Sequence, residues 1–202
     1  KASHDFKADI ISAAKYMSAH YNSHSPHIEA LDVLSMKIFD ALKKNNGLTD
    51  RDKLLLEVAV ILHDCGKYIS MVNSAQCAYE IIMASEIIGL THAEREIVAL
   101  TVLYNSIQLD LYEDLSDRID YGSYIKVAKL SAILRVANAL DQSHMQKFKN
   151  VKTSLKGREL IITLEVFEDI SLEQALFENK IAYFENVFSI KPVLKQKRIY
   201  DV

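Results

Sequence analysis

The fold is decided by one apolar stretch, LLEVAVILHDCGKYI, which runs from Leu55 to Ile69. Its apolar residues recur at spacings of three and four, which is typical of a helix. A short polar cap at 49–52 predicts where this helix begins, and His63 and Asp64 lie at its end. Gly66 then allows the chain to turn at once. The stretch therefore predicts an apolar helix that carries a His-Asp pair at its carboxyl end.

Helical patterns continue on both sides of this stretch, and only five glycines and two prolines interrupt the 202 residues. The acidic stretch Asp110–Asp120 is predicted as a loop. The last long helix is apolar on most sides between Val127 and Leu140, so it is expected to be the central and most buried one. This last helix is predicted over residues 123–144, and the other predicted helices cover residues 6–20, 27–44, 75–88 and 91–104.

The apolar period changes after His144, from the spacing of a helix to the alternation of strands. Two strands joined through Lys156-Gly157-Arg158 predict a β-hairpin. A capping box beginning at Ser171 predicts a helix to Phe188, and a third strand is expected to follow it. The sequence thus predicts a mainly α protein, with a helical domain at 1–146 and a small α/β appendage (hairpin, helix, strand) at 147–202.

Composition excludes several classes of partner. Half of the residues are apolar, and the net charge of −3 gives no overall positive field, so neither a membrane nor a specific nucleic acid is expected as a partner. No apolar run approaches the roughly 20 residues that cross a bilayer. Cys65 and Cys77 form no Cys-x-x-Cys motif, which favours reduced thiols and a cytoplasmic location.

Further polar residues lie on the neighbouring predicted helices, at positions that suit a shared site with the His63–Asp64 pair. His27 lies one helix upstream, and Arg135, Asn138 and Asp141 share one face of the last long helix. This set resembles the HD superfamily, in which such residues hold a divalent metal that activates water. A purely structural interpretation stays open, in which the pair only hydrogen-bonds helices together.

A closer resemblance covers nearly the whole chain. Four ordered blocks, His27–Leu31, Leu55–Ile69, Ile81–Leu90 and Leu134–His144, resemble the C-terminal HD-type domain of the exopolyphosphatase and guanosine pentaphosphate phosphohydrolase (Ppx/GppA) family. The trailing hairpin and helix also resemble the small α/β appendage of that family. The last block, LRVANALDQSH, is similar to the family's Leu-Arg-x-Ala-Asp-Ala-Leu-Asp-Arg-Ser-His.

The resemblance implies a metal site that lacks some of its ligands. Asn138 occupies the position where HD proteins usually have an aspartate, and Ser74 and Asn105 occupy positions where related domains often have histidines. We therefore expect at most a single divalent metal (Mn, Fe, Zn or Mg), and we assign no catalytic residue. The expected metal ligands are His27, His63, Asp64 and Asp141.

In the resembling family, phosphohydrolysis belongs to an N-terminal actin-like pair of domains, while the helical part extends the substrate channel and helps dimerisation. The resemblance thus implies a binding, regulatory or dimerisation module whose partners are that actin-like domain and a second copy of itself. Polyphosphate or a phosphorylated nucleotide is the expected ligand, with Lys67, Arg135 and His144 as phosphate-binding residues. The alternative is an active HD phosphohydrolase that acts on a nucleotide or phosphate ester.

Overall fold

The computed structural model describes residues 6–200 and confirms a mainly α protein with a small sheet near its carboxyl end. Short 3-10 turns follow the second and third helices, at Lys43–Asn45 and Cys65–Tyr68. The elements are α1 Phe6–His20, α2 Ser25–Leu42, α3 Asp50–Leu62, α4 Ser74–Ala84, α5 His92–Ser106, α6 Tyr112–Leu115, α7 Tyr121–Leu140, β1 Phe148–Lys156, β2 Glu159–Val166, α8 Ser171–Glu178, α9 Ile181–Phe188 and β3 Lys191–Arg198.

The prediction of a single helix from Ser171 to Phe188 is wrong, because the chain forms two short helices there, α8 and α9. The capping box predicted at Ser171 is wrong as well. Ile170 occupies the cap position, and the Ser171 hydroxyl donates instead to Asp169 Oδ1 at 2.7 Å. The hydroxyl is therefore used outside the helix and satisfies none of its amides.

The first compact unit contains residues 6–24 and 50–131. Its centre is α3, which packs against α1 and α5, and α4 packs against α5 and against the turn Cys65–Tyr68. Gly66 lies in that turn without a positive φ. A Cβ at Gly66 would lie 1.9 Å from the Ser74 carbonyl oxygen and 2.6 Å from the Ala78 nitrogen. Glycine is thus required here for the close approach of α4, and the sequence prediction that it permits a turn gave the wrong reason.

The second compact unit contains residues 25–49 and 132–200, and its sheet has the order β1-β2-β3. β1 and β2 form the predicted antiparallel hairpin, whereas β3 runs parallel to β2 because α8 and α9 carry the chain back between them. α2 packs against β1, where the Thr153 hydroxyl donates to the Lys37 carbonyl oxygen at 3.0 Å, and α9 packs against β3.

The predicted division of the chain into 1–146 and 147–202 stays a prediction, and its first five residues lie outside the described ones. Within residues 6–200, no helix combines the length and the apolar character that crossing a membrane would need.

Candidate functional site

The four predicted metal ligands fall in both compact units. His27 and Asp141 belong to the unit formed by residues 25–49 and 132–200, whereas His63 and Asp64 belong to the other. Each pair has its own hydrogen bonds, which decide what its side chains can do chemically.

The His27–Asp141 pair is almost completely removed from solvent. His27 lies in the first turn of α2 and is 0% exposed, and Asp141, which directly follows α7, is 1% exposed. His27 Nδ1 and Asp141 Oδ2 are 2.7 Å apart, a distance typical of a strong hydrogen bond to a charged acceptor. Because this bond places a proton on Nδ1, the lone pair of a neutral His27 ring lies on Nε2.

Asp141 also closes the turn that follows α7. The Gln146 backbone N–H donates to Asp141 Oδ1 at 2.8 Å, and the Gln146 side-chain amide donates to Oδ2 at 3.1 Å. The turn contains two non-glycine residues with positive φ, His144 at 59° and Gln146 at 47°. Such conformations are unfavourable by about 1 kcal/mol or more each, so the bonds to Asp141 stabilise a strained turn.

The strained turn places the ring of His144 against that of His27. Their ring centroids are 3.6 Å apart and the ring planes differ by 7°, so the two imidazoles stack face to face. His144 is half-buried in this position. The predicted phosphate-binding histidine is therefore part of the His27–Asp141 cluster.

The second pair lies in the other unit, at the end of α3. His63 Nδ1 donates to the Val60 carbonyl oxygen at 2.6 Å, and His63 Nε2 lies 3.3 Å from Asp64 Oδ2. Lys67 Nζ lies 3.0 Å from the other oxygen of Asp64. Burial alone would raise the pKa of the Asp64 carboxyl, but His63 and Lys67 outweigh this effect and hold the pKa well below its ordinary value. Asp64 is therefore a carboxylate at neutral pH.

The histidine of each pair has a hydrogen bond that is typical of metal-ligating histidines. A metal-ligating histidine commonly donates one ring N–H to a carboxylate or a backbone carbonyl, which orients the other nitrogen toward the metal. His27 donates to Asp141 in this way, and His63 donates to Val60. Imidazole with carboxylate suits Mn, Fe or Zn better than Mg, which prefers oxygen ligands. In this arrangement Asp141 orients His27 and is engaged by protein donors, which the sequence did not anticipate.

The three predicted phosphate-binding residues all have protein partners. Lys67 pairs with Asp64 and His144 stacks on His27. The guanidinium carbon of Arg135 lies 4.0 Å from the ring centroid of Tyr183, a cation–π contact. Burial lowers the pKa of Arg135 from its ordinary value, although arginine remains charged at neutral pH. Each of these three side chains is therefore already engaged by another side chain of the protein.

Gln146 is the residue of this cluster that the sequence interpretation missed. It supplies two of the hydrogen bonds to Asp141, one from its backbone and one from its side chain. No motif or period identifies it, because its role depends on the left-handed turn that brings it back toward α7.

Comparison with known families and proteins gives one match. Residues 11–183 match the family model described as Ppx/GppA phosphatase, domain III. The matched region contains the four sequence blocks described above and extends into α9. No match was found among curated proteins.

Proposed function

The chain belongs to the Ppx/GppA phosphatase family as its domain III, and we propose that it serves as a substrate-binding, regulatory or dimerisation module without autonomous catalysis. The observation that carries this proposal is the set of hydrogen bonds that Asp141 accepts. Its carboxylate, which is 1% exposed, accepts three hydrogen bonds, one from His27 and two from Gln146 in the turn that follows α7. A carboxylate engaged in this way holds the fold together and is poorly placed to serve a reaction.

Two further features support a non-catalytic module. Asn138 has a neutral amide where HD proteins usually have an aspartate, and a neutral oxygen is a weaker ligand for a divalent ion than a carboxylate. Arg135, on the same helix, packs over Tyr183. The polar face predicted on α7 is thus occupied largely by contacts that stabilise the protein.

The proposal predicts that the purified chain releases no phosphate from long-chain polyphosphate. Phosphate release should stay at the level of a protein-free control with Mn, Zn or Mg present, as followed by a colorimetric phosphate assay. Sustained, metal-dependent release that His63→Ala abolishes would overturn the proposal. An exposed substitution, Asp117→Ala, is the matched control, because it should leave any release unchanged.

We propose as partners an N-terminal actin-like phosphatase domain of the same protein and a second copy of the chain. The description of the matching family as a domain III supports the first, since it implies further domains. We also propose a cytoplasmic location, which the two free thiols of Cys65 and Cys77 support. Burial raises the pKa of the Cys65 thiol to about 12, so this thiol is unreactive at neutral pH.

The second candidate function is an active HD phosphohydrolase that uses a single metal. It is favoured by the hydrogen bonds of His27 and His63, which both donate through Nδ1 to an oxygen acceptor as metal-ligating histidines do. This function predicts close to one equivalent of Mn, Fe or Zn in protein purified without chelator, measured by elemental analysis. The metal should be lost in Asp64→Ala and retained in Asp117→Ala. Metal content that is far below one equivalent, or equal in both variants, would exclude it.

A further inference from the structure

The three-stranded sheet has two chemically different faces. Alternate residues point to opposite faces of a sheet, and one face of this sheet is buried by apolar side chains such as Val151, Ile162 and Pro192. Every residue of the opposite face is exposed or half-exposed. That open face consists of Asn150, Lys152, Ser154, Lys156, Glu159, Ile161, Thr163, Glu165, Lys191, Val193, Lys195 and Lys197.

The open face carries an excess of positive charge although the chain as a whole is negative. Five lysines and two glutamates give it a formal charge of +3, against −3 for the whole chain. The strand register places Lys152 and Lys195 on either side of Thr163, in one row across the sheet. Since neighbouring strands are about 4.8 Å apart, the Cα atoms of these two lysines are roughly 10 Å apart. Lys197, two residues after Lys195 on β3, projects from the same open face.

These lysines have no carboxylate partners within the described part of the chain. Elsewhere, lysines are held by buried carboxylates, as in Lys126–Asp52 and Lys147–Glu173. No ion pair within residues 6–200 involves the lysines of the open face, even though Glu159 lies in the row between Lys156 and Lys191. The two glutamates of the face, Glu159 and Glu165, therefore offset only part of its positive charge.

Lysines also protect sheet edges from pairing with other chains, and β1 and β3 are the two edges here. Protection of an edge requires charge near the strand but does not require one particular face. Five of the six lysines in the strands belong to the open face, where together they form a flat basic surface, and the sixth, Lys149, lies at the irregularity of β1.

The chemistry of the surface distinguishes between linear polyanions. Proteins that bind single-stranded nucleic acid on a sheet stack the bases on aromatic side chains of the strands. The open face has no aromatic residue in β1, β2 or β3. It offers ammonium groups for phosphate oxygens, with the hydroxyls of Ser154 and Thr163 between them, and it offers nothing for a base.

We propose that the open face of the sheet, centred on Lys152, Thr163 and Lys195, binds an inorganic phosphate chain. The ligand class rests on the proposed function as a binding module, whereas the location rests on the sheet alone. The surface would supply phosphate contacts from lysines that form no ion pair within the described residues, whereas Lys67, Arg135 and His144 are each engaged by another side chain.

The test compares two double variants of the full chain that change the net charge equally. Lys152→Gln/Lys195→Gln alters the open face, and Lys15→Gln/Lys44→Gln removes two exposed lysines elsewhere. Binding of sodium polyphosphate is measured by calorimetry at several salt concentrations. We expect the sheet variant to bind roughly tenfold more weakly at low salt, with a salt dependence reduced by about one unit per lysine removed. The control variant should stay within about twofold of the wild type.

Each other outcome overturns the proposal. Absence of polyphosphate binding by the wild-type chain would do so, as would equal losses in the two double variants. Equal or tighter binding of oligouridylate or of vesicles containing anionic lipid, lost in the same sheet variant, would assign the surface to another partner. Melting curves confirm that the variants are folded. Because the phosphate-release assay does not depend on these lysines, an unaffected sheet variant would reject this surface and leave the proposed function intact.

Discussion

Replacing Gly66 with alanine is expected to destabilise the chain by about 3 kcal/mol or more. The added Cβ would lie 1.9 Å from the Ser74 carbonyl oxygen, 2.6 Å from the Ala78 nitrogen and 2.9 Å from the Ser74 carbonyl carbon. All three are backbone atoms of α4, so no rotation of a side chain can relieve the overlap. Either α4 must move away from the turn after α3, or the turn must change. The free energy of unfolding in urea, measured by circular dichroism, tests this expectation.

Gly122→Ala is the matched control for this substitution. Gly122 lies in the first turn of α7 without a positive φ, and the nearest atom to its added Cβ is a side-chain oxygen of Asp120 at 3.3 Å. That side chain can shift, and alanine favours helix, so we expect a change within about 1 kcal/mol. If Gly66→Ala were as mild as this control, α4 would not pack on the turn as described.

The sequence predicted the long helices well because their signals are local. Thr91 and Glu94 form a capping box, a local sequence signal for the start of α5, in which the Thr91 hydroxyl accepts from the Glu94 N–H at 3.1 Å and Glu94 Oε1 accepts from the Thr91 N–H at 3.0 Å. The hairpin was also predicted, since alternating apolar residues on both sides of Gly157 identify it. Such features depend on residues a few positions apart.

The prediction failed where a residue's role depends on contacts that the local sequence pattern does not specify. The acceptor of the Ser171 hydroxyl is Asp169, which lies outside the helix, and the sequence motif alone cannot show this choice. The role of Gly66 depends on where α4 packs, which no local pattern specifies. Tyr16 has a helical spacing that is typical of core residues, yet its position on α1 faces solvent. Spacing identifies one face of a helix and does not say whether another element covers it.

The candidate site shows the same limit. The sequence identified His27 and Asp141 from the resemblance to the HD superfamily, but their direct hydrogen bond joins residues 114 positions apart. Gln146 and the stacking of His144 on His27 depend on the left-handed turn after α7, which contains no glycine. A non-glycine residue with positive φ is uncommon, so a sequence pattern gives little warning of such a turn.

Asp141→Ala is expected to lower the free energy of unfolding by about 3 kcal/mol. The substitution leaves the Nδ1 proton of the buried His27 without its acceptor and removes both bonds that hold Gln146 in its strained conformation. Asp117→Ala, at an exposed carboxylate in a turn, should change stability by no more than about 0.5 kcal/mol. Urea unfolding of both variants measures the difference, and equal, small effects would contradict a structural role for Asp141.

A double-mutant cycle separates the two functions that Asp141 can serve. If His27 and Asp141 stabilise each other directly, the cycle of His27→Phe and Asp141→Ala should give a coupling of about 1 to 3 kcal/mol. For the proposed non-catalytic module, this coupling should be the same with and without a chelator, because the hydrogen bond itself is the source of stability. For a phosphohydrolase in which Asp141 orients His27 toward a metal, the chelator should reduce the coupling, since metal binding would contribute to the stability of the folded state. The stability of one buried pair thus distinguishes a structural cluster from a metal site.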